Sequence, residues 1–326
     1  MEIILILVVA AALLFDFANG QNDSANAIAT VISTKVLSPL SAIIFATILN
    51  FIGALVSTKV AKTIGGGLVD PTIITNAVIL VSMLVAAGWV MVCSKLGLPV
   101  SGSHALIGSL VGAALAGFGI AVLKVKGLLL VLIALVLSPL MGFAVGYVLL
   151  ITFYWIAARM SPPTVRRIFS LLQIGSSGFM AFTHGMNDAQ KVMGVITLAL
   201  FSAGKISAIS VPAWVMLACA TVMALGTAAG GWSVIKTLGT KLTHIRPIEG
   251  CAAETAAGMV LAAAAHLGAP VSTTHTITGS IMGVGTAYRL KSVKWLIGGK
   301  IISAWVLTLP VCAIGSALLT LLIRLF

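Results

Sequence analysis

The 326-residue chain has the composition of a polytopic membrane protein. Hydrophobic residues make up 60% of it, charged residues only 8%, and its mean hydropathy is +1.18, whereas about a quarter of the residues in soluble domains are charged. A transmembrane helix needs roughly 20 apolar residues, so a chain of this length has room for about ten to twelve spanning or half-spanning segments. No soluble domain of useful size fits between them.

Charge and cysteine content exclude two further classes of function. The net charge of +12 could suggest nucleic acid, but the basic residues are scattered over short loops between apolar segments, as the positive-inside rule produces. We therefore expect no nucleic-acid partner. The cysteines lie in apolar surroundings without CxxC spacing, which predicts neither a metal site nor a disulfide framework. They are Cys93, Cys219, Cys251 and Cys312.

The N-terminal segment predicts a retained first helix with a polar interruption. Residues 3–18 are apolar, residues 19–26 carry Asn, Gly, Gln, Asp and Ser, and apolar character then resumes to about Ser33. Glu2 stands where a signal peptide would carry a basic residue. A helix break at membrane depth is tolerated only where it is packed in protein or lines a cavity. We expect residues 19–26 to be such a break.

The rest of the first half predicts two spans, a turn between two half-helices, and one long span. Proline ends a helix and serine is a favoured N-cap, so the turn is expected where Gly97 and Pro99 are followed by Ser101. The expected segments are 38–58, 73–94, a half-helix from the turn to about residue 121, and 127–157, in which Pro139 is a candidate kink.

A second half of similar design follows a short polar linker. Residues 158–168 contain two prolines and three arginines and are expected to form a cytoplasmic linker between a first transmembrane repeat, 1–157, and a second, 169–326. The second repeat is expected to contain a segment at 169–183, a break at 184–191, spans at 192–204 and 210–235, a segment at 250–266, a turn at 268–275 with a partner helix to residue 288, and a final span at 295–324.

Two motifs recur in the same order and indicate a duplication. Residues 97–112 and 268–283 are identical at eight of sixteen positions, which are mostly Gly, Pro, Ser and His. An Asn-Asp motif at 19–30 likewise recurs at 184–195. We expect an all-α membrane protein of two inverted-topology repeats with broken helices or helical hairpins. Labelling engineered cysteines in the two turns from opposite sides of the membrane would test the inversion.

Four acidic residues lie within or beside apolar segments, where charge is costly and commonly functional. Asp23 and Asp188 recur in the same motif, and carboxylates flanked by amides supply oxygen ligands for a cation, so we predict a functional role for both. For Asp16 and Glu254, which have no counterpart in the other half, structural and functional roles remain equally open.

The two turns offer the opposite chemistry. Each provides hydroxyl donors and begins a helix whose N-terminus favours an anion, so two converging turns could hold an oxyanion. The alternative is ordinary hydrogen bonding between helices. His104 and His275 follow the turns directly, and gating or proton handling and a structural role remain open for both. The hydroxyls are those of Ser101, Ser103, Ser272, Thr273 and Thr274.

Together, GQNDSANAIATVIST, HGMNDAQKVMG, GLPVSGSH and GAPVSTTH resemble the inorganic phosphate transporter (PiT) family over nearly the whole chain. The resemblance implies cation-driven uptake of phosphate across the cytoplasmic membrane, usually by a homodimer, without a cofactor. It implies that cation, sodium in a sodium-coupled protein, and substrate are bound by Asn22, Asp23, Asn26, Asn187 and Asp188. It further implies that phosphate is held by Ser101, Gly102, Ser103, Ser272, Thr273 and Thr274.

One position departs from the pattern. The second motif has Lys191 where the first has Asn26, as in the bacterial proton-coupled branch that this form resembles. Its ammonium group could replace a sodium ion or pair with phosphate. We therefore favour proton symport, including that of a neutral metal-phosphate, with sodium as the alternative.

Three other functions remain to be weighed. An anion channel or a sulfate permease could use the same scaffold, although phosphate can donate a hydrogen bond to Asp23 or Asp188 and sulfate cannot. An intramembrane aspartyl protease could use two aspartates, but the chain has no GxGD element. We rank the transporter first, then the channel, then the protease, and expect no enzymatic activity.

Overall fold

The computed structural model describes residues 2–325, which form twelve α-helices and no strand beyond one isolated bridge between Val69 and Leu123. The helices of the first half are α1 (Glu2–Ser33), α2 (Pro39–Ala54), α3 (Lys59–Gly67), α4 (Asn76–Lys95), α5 (Gly102–Phe118) and α6 (Val125–Ala157). Those of the second half are α7 (Pro162–Ser202), α8 (Ala213–Ala229), α9 (Trp232–Lys236), α10 (Pro247–Leu267), α11 (Thr273–Tyr288) and α12 (Trp295–Ile323).

The helices are long and apolar enough for a multi-pass membrane protein, as the composition predicts. Five of them, α1, α4, α6, α10 and α12, could each cross a membrane. Two bent pairs could add two spans: α2 and α3 meet at 65°, and α8 meets α9 and its π-helical continuation to Lys241 at 61°. With α7, α5 and α11 these make ten segments, the lower end of the predicted range.

The predicted breaks at 19–26 and 184–191 are wrong. Helix α1 runs without interruption for 32 residues, and α7 for 41 residues, which is roughly 60 Å at 1.5 Å per residue. Apart from the half-buried Gln21, the polar side chains of both stretches are buried against neighbouring helices. Because they find partners there, the backbone can keep its own helical hydrogen bonds through them. The segments expected at 169–183 and 192–204 are therefore parts of one helix.

Helix contacts in one half recur in the other. Helix α1 packs on α4 and α8, and α7 packs on α10 and α2. The two short helices cross over: α5 packs on α12 of the other half, and α11 packs on α6. The two halves therefore interlock in the symmetric manner that a duplication predicts. The inverted orientation, the repeat boundaries and the linker at 158–168, which spans the α6–α7 junction, stay predictions.

The contacts of α5 with α12 and of α11 with α6 are close because glycines of the short helices lie against the backbone of the long ones. A Cβ atom on Gly108 would lie 2.5 Å from the carbonyl oxygen of Leu309, and one on Gly279 would lie 2.3 Å from that of Pro139. Only glycine permits such an approach. These contacts fix where α5 and α11 begin relative to the long helices.

Candidate functional site

The two predicted turns begin helices with matching serine caps. The Ser101 Oγ accepts a hydrogen bond from the His104 backbone N–H at 3.1 Å, and the Ser272 Oγ accepts one from that of His275 at 3.2 Å. Each preceding helix ends at a glycine with positive φ, Gly97 at 70° and Gly268 at 69°. The prediction of a serine-capped half-helix after each turn is confirmed.

The two turns contact each other inside the protein. The Ser103 Oγ donates a hydrogen bond to the Val271 carbonyl at 2.9 Å. The rings of His104 and His275 lie 4.6 Å apart between centroids, and the second ring stacks on Trp305 at 3.9 Å. The N-termini of α5 and α11 therefore meet, and their unpaired N–H groups make the region favourable for an anion.

The second turn joins the two motif aspartates. The Thr273 Oγ1 lies 3.1 Å from Asp188 Oδ2 and 3.3 Å from Asp23 Oδ2. The Thr274 Oγ1 donates to Asp23 Oδ1 at 2.7 Å. Carboxylates from both halves and the start of α11 thus form one buried cluster.

Asp188 is neutralised by a fixed cation, whereas Asp23 is not. The Lys191 Nζ lies 2.6 Å from Asp188 Oδ1, and both side chains are buried. The equivalent residue beside Asp23 is Asn26, whose Nδ2 donates to the Thr274 Oγ1 at 3.1 Å instead. The two halves of the site therefore differ in charge although their backbones correspond.

The first turn reaches the cluster through Asn19. The Asn19 Nδ2 donates to Asp188 Oδ2 at 3.0 Å. A Cβ on Gly102 would lie only 1.7 Å from the Asn19 Oδ1, so Gly102 is in direct contact with this amide. Of the tip residues predicted to hold phosphate, Thr273 and Thr274 contact the aspartates, whereas Ser101, Ser103 and Ser272 satisfy backbone groups of the turns.

His184 is a member of the site that sequence reasoning missed. Its Nδ1 lies 2.9 Å from the Asn50 Oδ1, and its Nε2 lies 3.8 Å from Asp23 Oδ2 and 3.7 Å from Asp188 Oδ2. One ligand atom from each of these three side chains lies within 4.8 Å of the others, close enough to hold one metal ion. Since Nδ1 is engaged by Asn50, Nε2 is the nitrogen available to a proton or a cation.

The sequence did contain a signal for both missed residues. Asn19 and His184 occupy the same place in the two motifs, four residues before Asp23 and Asp188. On a helix, residues four apart lie on one face. Either residue could therefore have been assigned to the face that carries the carboxylate.

Asn22 and Asn187 point their amide nitrogens away from the cluster. The Asn22 Nδ2 donates to the Ser94 Oγ at 2.7 Å, and the Asn187 Nδ2 donates to the Leu261 carbonyl at 3.0 Å. Both residues thereby tie their helix to α4 or α10. Among residues 2–325, buried amide oxygens without a hydrogen-bond partner include those of Asn19, Asn22, Asn26 and Asn187.

These unpaired amide oxygens fit a hard cation. Sodium and similar ions prefer oxygen ligands, and a buried acceptor without a donor is costly. Each of them, like the carboxylate of Asp23, is the kind of ligand that the cation expected from the resemblance would use. Asn22, Asp23, Asn26, Asn187 and Asp188 therefore remain the predicted sodium-binding residues of a sodium-coupled protein.

The two other buried carboxyl groups, those of Glu254 and Asp16, differ in their hydrogen-bond partners. Glu254 accepts hydrogen bonds from the Thr30 Oγ1 at 2.5 Å, the Ser176 Oγ at 2.5 Å and the Gln173 Nε2 at 3.2 Å. It is thus held between α1, α7 and α10. Asp16 is equally buried, and neither of its oxygens has a hydrogen-bond partner in the described part of the chain.

The cluster is closed to solvent in this conformation. None of the side chains of Asp23, Asp188, Lys191, Thr273 and Thr274 is more than 3% exposed. A cavity of about 760 Å³ lies at the end of α1, next to the ends of α6 and the starts of α7 and α10. The structure is therefore an occluded one, in which helices must move before a substrate can reach the cluster.

Comparison with known proteins identifies relatives over the whole chain. The phosphate transporter family (PHO4) matches residues 19–316. A protein of Rhizobium meliloti (strain 1021), called a probable low-affinity inorganic phosphate transporter, is 45% identical over 97% of this chain and 95% of its own. One of Bacillus subtilis (strain 168), named in the same way, is 44% identical over 97% and 96%.

The fold also matches a solved structure. A protein described as the sodium-dependent phosphate transporter superposes with a TM-score of 0.91 over 100% of both chains, at 22% sequence identity. This likeness confirms the all-helical membrane fold. The family match covers most of the sequence, and it includes both Asn-Asp motifs and both serine-capped turns. The chain therefore belongs to the phosphate transporter family, as a multi-pass protein of the cytoplasmic membrane.

Proposed function

We propose that the chain is a symporter that carries inorganic phosphate across the cytoplasmic membrane together with a proton. The observation that carries this proposal is the Thr273 hydroxyl, which lies 3.1 Å from Asp188 Oδ2 and 3.3 Å from Asp23 Oδ2 at the N-terminus of α11. Anion-attracting helix ends and cation-attracting carboxylates thus share one buried cluster. A site with both kinds of group is suited to binding phosphate and its coupling cation together.

The same contacts explain how phosphate would be distinguished from sulfate. In the occluded state the hydroxyls of Thr273 and Thr274 donate to the two carboxylates. A phosphate that retains a proton can donate to Asp23 or Asp188 and accept from the hydroxyls and N–H groups of the turns. Sulfate has no proton to give and would leave a carboxylate facing an anion without relief. Discrimination between phosphate and sulfate would therefore depend on the proton that phosphate itself retains.

The ion pair between Lys191 and Asp188 supports a proton rather than a sodium ion as coupling cation. With its ammonium 2.6 Å from the carboxylate, Asp188 already has a permanent counter-charge. Of the two cluster aspartates, only Asp23, which has no lysine beside it, lacks a fixed counter-charge. The cluster therefore leaves less room for sodium ions than two unpaired carboxylates would. A proton needs no coordination shell, so it can be carried by a single carboxyl group of the protein.

A sodium-coupled symporter is the second candidate, and a separate observation favours it. The amide oxygens of Asn19, Asn22 and Asn26 in α1 are buried and have no hydrogen-bond partner among the residues that the structure describes. Amide oxygens do not take up protons near neutral pH, but they are common sodium ligands. In this alternative, sodium would bind beside Asp23, and Lys191 would replace a second sodium ion.

Uptake into proteoliposomes would separate these possibilities. Purified protein should accumulate radiolabelled phosphate when an inward proton gradient is imposed without sodium, and unlabelled sulfate in tenfold excess should not compete. Full accumulation from a sodium gradient at constant pH would support the second candidate. Uptake indifferent to either gradient would instead reveal a channel, and competition by sulfate a sulfate permease. A helical-peptide cleavage assay would test for protease activity.

We further propose that the protein is a homodimer and works without a cofactor. The groups that it requires are the two carboxylates, the turns and Lys191, with phosphate and the coupling cation as the bound species. Helices α6 and α12 carry many exposed apolar side chains, such as Leu129, Val136, Val306 and Leu318, which can face lipid or a second copy. Mass measurement of the protein in lipid nanodiscs would distinguish a dimer from a monomer.

A further inference from the structure

Asp16 ends a line of buried polar side chains that follows one face of α1. The members recur at alternating intervals of three and four residues, which keeps them on one side of a helix. All of them are at most 3% exposed. They are Asp16, Asn19, Asp23, Asn26 and Thr30.

Every member of this line except Asp16 has a side-chain partner from another helix. Asn19 reaches Asp188, Asp23 reaches the turn of α11, and Thr30 reaches Glu254. Asp16 has none for either oxygen, within the part of the chain that the structure describes. An ionised carboxylate in that position would be buried with no neighbouring donor stronger than the Cys219 thiol and no counter-charge in contact with it, which costs several kcal/mol. Asp16 is therefore compatible with this conformation in its neutral, protonated form.

Glu254 provides an internal comparison. It is as buried as Asp16, but hydroxyl and amide groups of Thr30, Ser176 and Gln173 all donate to it. Such donors stabilise a carboxylate. Asp16, in contrast, accepts no hydroxyl or amide hydrogen bond within residues 2–325, and the thiol of Cys219, which lies near it, is a weak donor.

The charged and titratable groups around Asp16 link it to the central cluster. On α7 these are Asp188 and Lys191, and on α8 the thiol of Cys219. On α4, which also packs on α1, Cys93 and Lys95 flank Ser94, the residue that accepts a hydrogen bond from Asn22, six residues beyond Asp16. Burial has the largest influence on Asp16, and the Asp188 carboxylate, the Cys219 thiol and the Lys191 ammonium act on it in addition.

We propose that Asp16 carries the proton that accompanies phosphate, as a coupling site about 10 Å along α1 from Asp23. An anion bound at the central cluster favours the neutral form of Asp16, because two negative charges in a low-dielectric region repel each other. By linkage, neutral Asp16 favours the bound anion to the same extent. Phosphate and proton then bind together and leave together.

Its position in the fold agrees with this role. The cavity of about 760 Å³ lies at the Ser33 end of α1, and Asp16 lies on the other side of the central cluster. A proton site on that side can exchange with the opposite compartment when the helices open there. The inference rests on the proposed proton symport and adds the residue that carries the proton.

The test uses the full-length protein in proteoliposomes and two assays. Phosphate exchange, with equal phosphate on both sides, needs substrate binding and helix movement but no net proton flux. Accumulation driven by an imposed pH gradient needs coupling. For Asp16→Asn, which keeps size and hydrogen-bonding capacity but cannot lose a proton, we expect exchange within about threefold of wild type and accumulation reduced at least tenfold. Asp70→Asn, in the loop between α3 and α4, should preserve both activities.

Three outcomes would overturn the inference. In the first, Asp16→Asn accumulates phosphate from a pH gradient as well as wild type does. In the second, Asp16→Asn still binds phosphate but loses exchange together with accumulation. In the third, the pH profile of accumulation by Asp16→Glu is the same as that of wild type. The last variant keeps an acid with a longer side chain and covers the case in which Asp16→Asn does not fold. Should wild type itself show no proton-driven accumulation, the proposed coupling fails instead, so the two failures are distinguishable.

Discussion

Lys191 and Asn26 occupy equivalent positions in the two repeats, but only Lys191 contacts an aspartate, with its Nζ 2.6 Å from Asp188 Oδ1. The Nδ2 of Asn26 donates to a threonine hydroxyl instead. The duplicated backbone thus carries an electrostatically unequal pair of half-sites. This inequality leads to the first two predictions.

Replacing Lys191 by Asn would make the second half-site like the first. Asp188 would then lose its counter-charge, and a solution cation would have to take its place. We expect proton-driven phosphate accumulation by Lys191→Asn to fall at least tenfold and phosphate uptake to become stimulated by sodium. Uptake with and without sodium at constant pH is the measurement, and Lys126→Asn, at an exposed position in the first turn of α6, is the control. Unchanged, sodium-independent uptake would contradict the assignment.

The buried ion pair should show strong coupling in stability. Removing the carboxylate alone, in Asp188→Asn, leaves the Lys191 ammonium buried without its partner, which typically costs about 3–5 kcal/mol. Removing both charges, in the double variant Asp188→Asn with Lys191→Met, should recover most of this loss. Thermal unfolding in detergent would measure it. Additive effects of the two substitutions would show that the charges do not interact.

Gly102 should not tolerate a side chain. An added Cβ would lie 1.7 Å from the Asn19 Oδ1, and Asn19 is held by Asp188, so the turn or the amide must move. Overpacking of this kind costs about 1–3 kcal/mol, and we expect Gly102→Ala to reduce phosphate uptake at least tenfold. Gly88→Ala is a matched control, since a Cβ at this helix position meets nothing within 4 Å. Equal uptake by both variants would count against the close approach.

Asp23 should determine selectivity between phosphate and sulfate. The Asp23→Asn side chain has a donor where the carboxylate only accepts, so the penalty for sulfate disappears. We expect either loss of transport or competition by sulfate that the wild type lacks. Radiolabelled phosphate uptake with graded sulfate would measure this. A transporting variant with undiminished preference for phosphate would refute the role given to Asp23.

Glu254 should contribute to stability through its three donors. In Glu254→Gln, an amide N–H₂ must face at least one of the hydroxyls of Thr30 and Ser176, which now donate to the carboxylate. Leaving a buried donor or acceptor without its hydrogen-bond partner costs about 1–3 kcal/mol. We expect a lower unfolding temperature in detergent, and an unchanged one would mean that these contacts add little.

The sequence predicts well those features that depend on local chemistry. Ser101 and Ser272 cap helices because proline ends the preceding segment and a serine hydroxyl can accept a backbone hydrogen bond three residues on. The repeat correctly indicates that the two aspartates and the second turn come together. Both inferences need only the order of residues and elementary capping rules.

The features that the sequence does not predict depend on tertiary surroundings. Whether a polar stretch such as 19–26 breaks its helix depends on partners for its side chains, and Asp188 and Ser94 supply them from distant positions. Asn22 stays a predicted ligand on the strength of the resemblance, and its amide nitrogen donates to Ser94. Consecutive residues on a helix point about 100° apart, so Asn22 and Asp23 face different neighbours. Helical geometry alone favours Asn19, which the structure places in contact with Asp188.

The exchange of short helices between the halves bears on how the protein is made. Helix α5 packs against α12, which follows α6 to α11 in the sequence. The glycine surface of α5 that contacts α12 therefore stays uncovered until those intervening helices and α12 have been synthesised. Loss of α12 should accordingly disturb the first half of the protein as much as the second.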